Sequence, residues 1–90
     1  MADMIVVYRV MPEDGEIEYS ILEKLVKETI ENFNDSVKIK DINSHDVGFG
    51  LQAVKVKFQI DEKYGSEELE EKLKEIPEVG DVIIELMDRL

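Results

Sequence analysis

The chain has 90 residues, 43% of them hydrophobic, with no cysteine and a formal net charge of −11. That is one small domain with enough apolar content for a core, and without cysteine it has no disulfide framework, thiolate metal centre or thiol nucleophile. The acidic balance opposes a phosphate backbone and suits a basic protein surface. No segment approaches membrane-spanning length, so a soluble cytoplasmic protein is expected.

The first element, "MIVVYRVM" (Met4 to Met11), is β-branched and aromatic and ends at Pro12 and Gly15, which reads as a strand. "YSILEKLVKETIENF" follows, with Leu22, Leu25, Val26, Thr29, Ile30 and Phe33 at helical spacing, and Asn34-Asp35-Ser36 closes it. "VKIKDIN" (Val37 to Asn43) alternates at its start and predicts a second strand. Leu51 to Ile60 predicts a third, with Val54, Val56, Phe58 and Ile60 on one face and Lys55, Lys57 and Gln59 on the other. Gly65-Ser66 opens a second helix with Ser66 as N-cap, Glu67 and Glu68 in its first turn, and a buried stripe of Leu69, Leu73 and Ile76. Pro77 forces its end, and "VGDVIIELM" (Val79 to Met87) is the last strand.

The order β-α-β-β-α-β predicts an α+β ferredoxin-like sandwich: a four-stranded antiparallel sheet with both helices on one face, in a single domain over residues 1–90. Strand parity then fixes what the uncovered face shows. With Val54 and Val56 toward the helices, Lys55 and Lys57 point away and Lys38 and Lys40 join them. The same rule exposes Ile5, Val7 and Arg9 on the first strand, and Ile83, Glu85, Met87 and Arg89 on the last. Val82 and Ile84 are expected in the core. Such a face, half basic and half apolar, marks a contact surface.

Leading from the second strand into the third is "HDVGFGLQAVKV" (His45 to Val56), whose Gly48-Phe49-Gly50 triplet fits three chemistries. A phosphate loop would lead from a strand into a helix and carry a Lys-Ser/Thr pair, whereas these glycines lead into a strand. An RNA-reading sheet would present stacking rings. Here Val47 stands in place of the basic residue, Leu51 and Val54 stand where rings belong, and Tyr8 faces the core by parity. Catalysis finds a lone histidine, His45, beside Asp46 and no placed nucleophile. The remaining reading is a partner-facing loop with Phe49 as apolar anchor or as a brace for the loop. An RNA-binding or small-ligand module of the same fold is the alternative.

Three segments together carry a family likeness: the first strand ending in "VMPED", the loop-to-strand segment "VGFGLQAVKV", and a final strand with a basic penultimate residue, "LMDRL". On them the chain resembles the guanine-nucleotide exchange domain of translation elongation factor 1-beta, especially its short archaeal form. The resemblance implies exchange of GDP for GTP on elongation factor 1-alpha, with no cofactor of its own, no direct nucleic-acid contact and no membrane. It implies that the loop residues Val47, Gly48, Phe49 and Gly50 and the C-terminal end, with Met87 and Arg89, face that GTPase, Arg89 reaching toward its magnesium site. Two positions depart from eukaryotic relatives. These carry Lys where Arg89 stands, and a bulky aromatic before the loop where this chain has Ser44-His45-Asp46, so that wedge is absent or replaced by His45.

Overall fold

The computed structural model describes residues 2–33, 35–64 and 67–90. Its elements are β1 (Asp3–Pro12), α1 (Tyr19–Glu31), β2 (Lys38–Gly48), β3 (Leu51–Asp61), a short 3₁₀ turn (Glu62–Tyr64), α2 (Glu67–Lys74) and β4 (Val79–Arg89). The strands form one antiparallel sheet in the order β2-β3-β1-β4, with β1 and β3 central, as the ferredoxin-like arrangement requires. Residues Asn34 and Ser66, expected to close α1 and to cap α2, lie outside the described residues.

The core follows the alternation of the two central strands. Met4, Val6, Tyr8 and Val10 on β1 and Val54, Val56, Phe58 and Ile60 on β3 meet Leu22, Val26 and Ile30 of α1 and Leu69 and Leu73 of α2. Tyr8 and Phe58 stand edge to face, with ring centroids 5.3 Å apart, a favoured aromatic geometry. Both rings therefore serve the helix-covered face and leave the open face without them. α2 places Glu67, Glu68 and Glu70 in its first turn and Lys72 and Lys74 in its last, matching the helix dipole at both ends.

Three features of the sheet differ from expectation. First, β2 extends to Gly48, so the stretch from Ser44 onward, expected as loop, is the second arm of a hairpin with β3. Its polar residues hide the strand period, and pairing with the apolar β3 imposes it. Second, the register of β4 on β1 slips: Ile84 stands opposite Tyr8 but Leu86 opposite Val7, leaving Glu85 as the extra residue. A bulge of this kind inverts parity beyond it. Met87 and Arg89, opposite Val6 and Met4, consequently point to the helix side, against expectation, and Leu86 and Asp88 stand on the open face instead of them. Ile84 does face the helix side but is 40% exposed, because cover over this edge strand ends beyond Val82. Third, Val7 is buried on the open face, where neighbouring side chains on both flanking strands close over it. A second slip at the start of β4 brings Gly80 against β1, where a Cβ would lie 2.7 Å from the Pro12 carbonyl oxygen; only glycine fits.

Candidate functional site

The hairpin between β2 and β3 closes through two residues, Phe49 and Gly50, with Gly48 paired to Leu51 on either side. Both turn residues have positive φ, 56° for Phe49 and 75° for Gly50, and Gly48 precedes them at 87°. Two consecutive positive φ values are what a type I′ hairpin turn needs, since its twist matches that of the strands. Glycine reaches that region freely, but an L-residue with a side chain reaches it at a cost. Phe49 is the sole non-glycine residue with positive φ among the described residues. It is also completely exposed. Bracing the core is therefore not its role; the aromatic ring is held out at the tip.

The turn is supported from below. A slip in register between Asp46 and Gly48 leaves Val47 as a bulge, and the Gly48 N–H donates to Asp46 Oδ1 at 2.9 Å. The loop after β1 lies alongside, since a Cβ on Gly15 would touch Leu51 Cδ2 at 3.4 Å. That loop exposes Glu13, Asp14 and Glu16, so Phe49 is an apolar tip above an acidic shoulder.

The other expected site lies far away. The Leu90 N–H donates to the Asp3 carbonyl at 2.9 Å, and Arg89 pairs with Met4, so the C-terminus is stitched to the start of β1. Arg89 Nε donates to Glu62 Oε2 at 2.7 Å while the side chain stays 76% exposed. Ile84 and Met87 on the same strand, and Leu90 just past its end, leave exposed apolar surface. An open groove of about 570 Å³ runs between this strand and the 3₁₀ turn, lined by Met4, Glu62, Lys63, Met87 and Arg89. No group of three or more His, Cys, Asp or Glu side chains that could hold a metal occurs among the described residues.

The structure thus gathers Val47, Gly48, Phe49 and Gly50 at one end of the sheet and Met87 and Arg89 at the other. β3 runs its 11 residues between the two ends. At about 3.3 Å per residue they are roughly 30 Å apart. His45 belongs to neither: it lies within β2 on the open face, its Nε2 3.4 Å from Nη1 of Arg9. Sequence reasoning singled out His45 as a loop residue and missed this contact, which joins positions 36 residues apart. The one signal available was parity, which already placed Arg9 on the open face.

The fold is a ferredoxin-like sandwich that holds an aromatic out at a strained hairpin tip and a cationic side chain at the far end. Residues 5–90 match the family described as the EF-1 guanine nucleotide exchange domain, and the chain belongs to that family. Similar proteins named Elongation factor 1-beta occur in several archaea. That of Pyrobaculum aerophilum is 31% identical over 91 residues, spanning 99% of this chain and 96% of its own. Those of Methanosphaera stadtmanae (35% over 91 residues, 100% and 99%) and Thermoplasma volcanium (31% over 83 residues, 91% of each) match comparably. The role that follows is guanine-nucleotide exchange in translation elongation.

Proposed function

We propose that residues 1–90 act as a single exchange domain that promotes release of GDP and uptake of GTP on elongation factor 1-alpha in the cytoplasm. The reading is carried by the family match over residues 5–90, which takes in both the hairpin tip and the C-terminal strand. An exchange factor works by binding the nucleotide-free partner better than the nucleotide-bound one. No bond is made or broken, so the chain is not an enzyme in the chemical sense and needs no cofactor, nucleic acid or membrane.

In this reading Phe49 is the anchor. Its exposure means the ring has its whole apolar area left to bury, and the acidic shoulder of Glu13, Asp14 and Glu16 suits an apolar pocket within a basic surface. Val47, Gly48 and Gly50 set the turn that aims it. Arg89, with Met87 beside it on β4, acts at the opposite end. Magnesium bridges the phosphates of a bound nucleotide to its GTPase, so a cation brought to the metal's acidic ligands competes with it. Glu62 fixes Arg89 through Nε, and the exposed guanidinium tip offers that cation. The planar fork delivers charge over a broader front than a lysine would. With the two elements roughly 30 Å apart, anchoring and metal displacement fall on separate parts of the GTPase. Release of labelled GDP from elongation factor 1-alpha, followed with and without this protein, tests the proposal. Acceleration that saturates with protein concentration supports it, and an unchanged release rate refutes it.

A further inference from the structure

The open face of the sheet carries a charge arrangement that exchange leaves unused. At its centre Arg9 on β1 stands directly opposite Lys55 on β3, a like-charge pairing that disfavours the sheet unless something compensates it. His45 approaches from β2 over Ala53, whose small side chain is fully buried between them. Its Nε2 sits 3.4 Å from Arg9 Nη1, and a guanidinium has only donors, so the imidazole lone pair is the acceptor. Arg9 Nε is buried without a hydrogen-bond partner. The central carboxylate, Glu85, lies 3.6 Å from Lys55 Nζ, and Arg9 makes no carboxylate ion pair among the described residues. The buried Nε is closed to an outside partner, but the guanidinium as a whole is only half-buried, and its Nη donors are complementary to an acceptor that carries charge.

The rest of the face states what kind of partner supplies that acceptor. Parity and pairing put Asp3, Asp61 and Asp88 at its far end, next to the start of β1. Asp3 and Asp61 lie six residues along the strand from Arg9, roughly 20 Å, and Asp88 is nearer, opposite Ile5. Between the two charged zones, the exposed Leu86 on β4 and the half-buried Ile5 on β1 form an apolar strip, with Val7 buried beside them and Lys57 opposite Val7 on β3. A polynucleotide would set repeated phosphates against the acidic end as well as the basic centre, and Tyr8 and Phe58 are buried on the other face, so no base could stack on them.

We propose that the open face binds an extended protein segment that presents a carboxylate to Arg9, His45 and Lys55, apolar side chains to the strip, and a cation to the aspartates about 20 Å away. This surface goes beyond the exchange reading and depends on no part of it. The test uses the full chain, labelled with ¹⁵N, and a capped peptide Glu-Thr-Val-Thr-Val-Thr-Lys, whose end charges match that spacing on one side of an extended strand. The Arg9 Nε–H signal should shift and saturate with this peptide. Replacing its Glu by Gln should weaken binding about tenfold or more, the loss expected for an ionic bidentate contact. Arg9→Lys in the protein should do the same, and Lys27→Gln on the exposed side of α1 should not. Equal binding of the Gln peptide, or an Arg9 signal that does not move, overturns the proposal even if the Arg9 variant fails to fold. So does tighter binding of a single-stranded RNA oligonucleotide or of inorganic phosphate than of the Glu peptide. Labelled-GDP release is measured separately, so failure here and failure of the exchange reading are distinguishable.

Discussion

Replacing Phe49 with Asn should move stability and partner binding in opposite directions. Phe49 sits at φ 56° and is completely exposed, so its side chain contributes backbone strain and no buried area to the folded state. Holding an L-residue in the left-handed region costs about 1–2 kcal/mol. Asn tolerates that region and, followed by Gly50, forms the Asn-Gly pair that type I′ hairpins favour. It also avoids the extra unfolded-state entropy a glycine would add. The net expectation is a gain of about 1 kcal/mol, which for a domain of this size raises Tm by roughly 4–8 °C. Thermal and denaturant unfolding measure it. Affinity for elongation factor 1-alpha should fall, because burying a phenylalanine fully is worth about 1.5–3 kcal/mol. A loss of about 2 kcal/mol is roughly 30-fold in Kd, readable by titration calorimetry. A variant that is less stable would show that the ring packs on the protein and that the turn is unstrained. A variant that binds with unchanged affinity would remove Phe49 as the anchor.

Other positions give independent checks. Leu73→Ala, in the buried stripe of α2, should cost about 2–5 kcal/mol in urea unfolding, and a cost below 1 would place α2 outside the core. Gly80→Ala should destabilise by about 1–3 kcal/mol, because its Cβ would meet backbone atoms of Pro12 and Glu13 that cannot move aside cheaply. Burial, reinforced by the Glu23 carboxylate, pushes the Tyr19 hydroxyl above its usual range. The folded state then keeps that proton while the unfolded chain releases it near pH 10, so this contribution is intact below about pH 10 and is lost as pH rises further. Tyr19→Phe should flatten the alkaline limb of the stability profile, and an unchanged limb would count against it.

The elements and the core were legible because two periods run clearly through the chain. Alternation in β1 and β3 separated Tyr8 and Phe58 from Arg9 and Lys55, and the helical stripe found Leu22, Val26, Leu69 and Leu73. Features created by pairing were not legible. The slip after Ile84 depends on how β4 meets β1, and it moved Met87 and Arg89 to the helix side, against their parity in sequence. Ser44 to Asp46 show no strand period of their own, so the hairpin arm appears only through β3. The exposure of Phe49 could not be read either, since an aromatic between two glycines braces a loop as readily as it crowns one. The distance between hairpin tip and C-terminus, by contrast, was implicit in the topology. β3 leaves the tip and ends beside the start of β1, where an antiparallel β4 must finish.

The most direct measurement compares the full chain with a chain lacking Arg89 and Leu90 for release of labelled GDP from elongation factor 1-alpha at ordinary magnesium. The full chain should accelerate release. The shortened chain should still bind through Phe49 but release nucleotide more slowly, and chelating magnesium should erase the difference, since the chelator then performs the step assigned to Arg89. Full exchange activity without these two residues, or a difference that persists when magnesium is removed, would contradict the C-terminal mechanism.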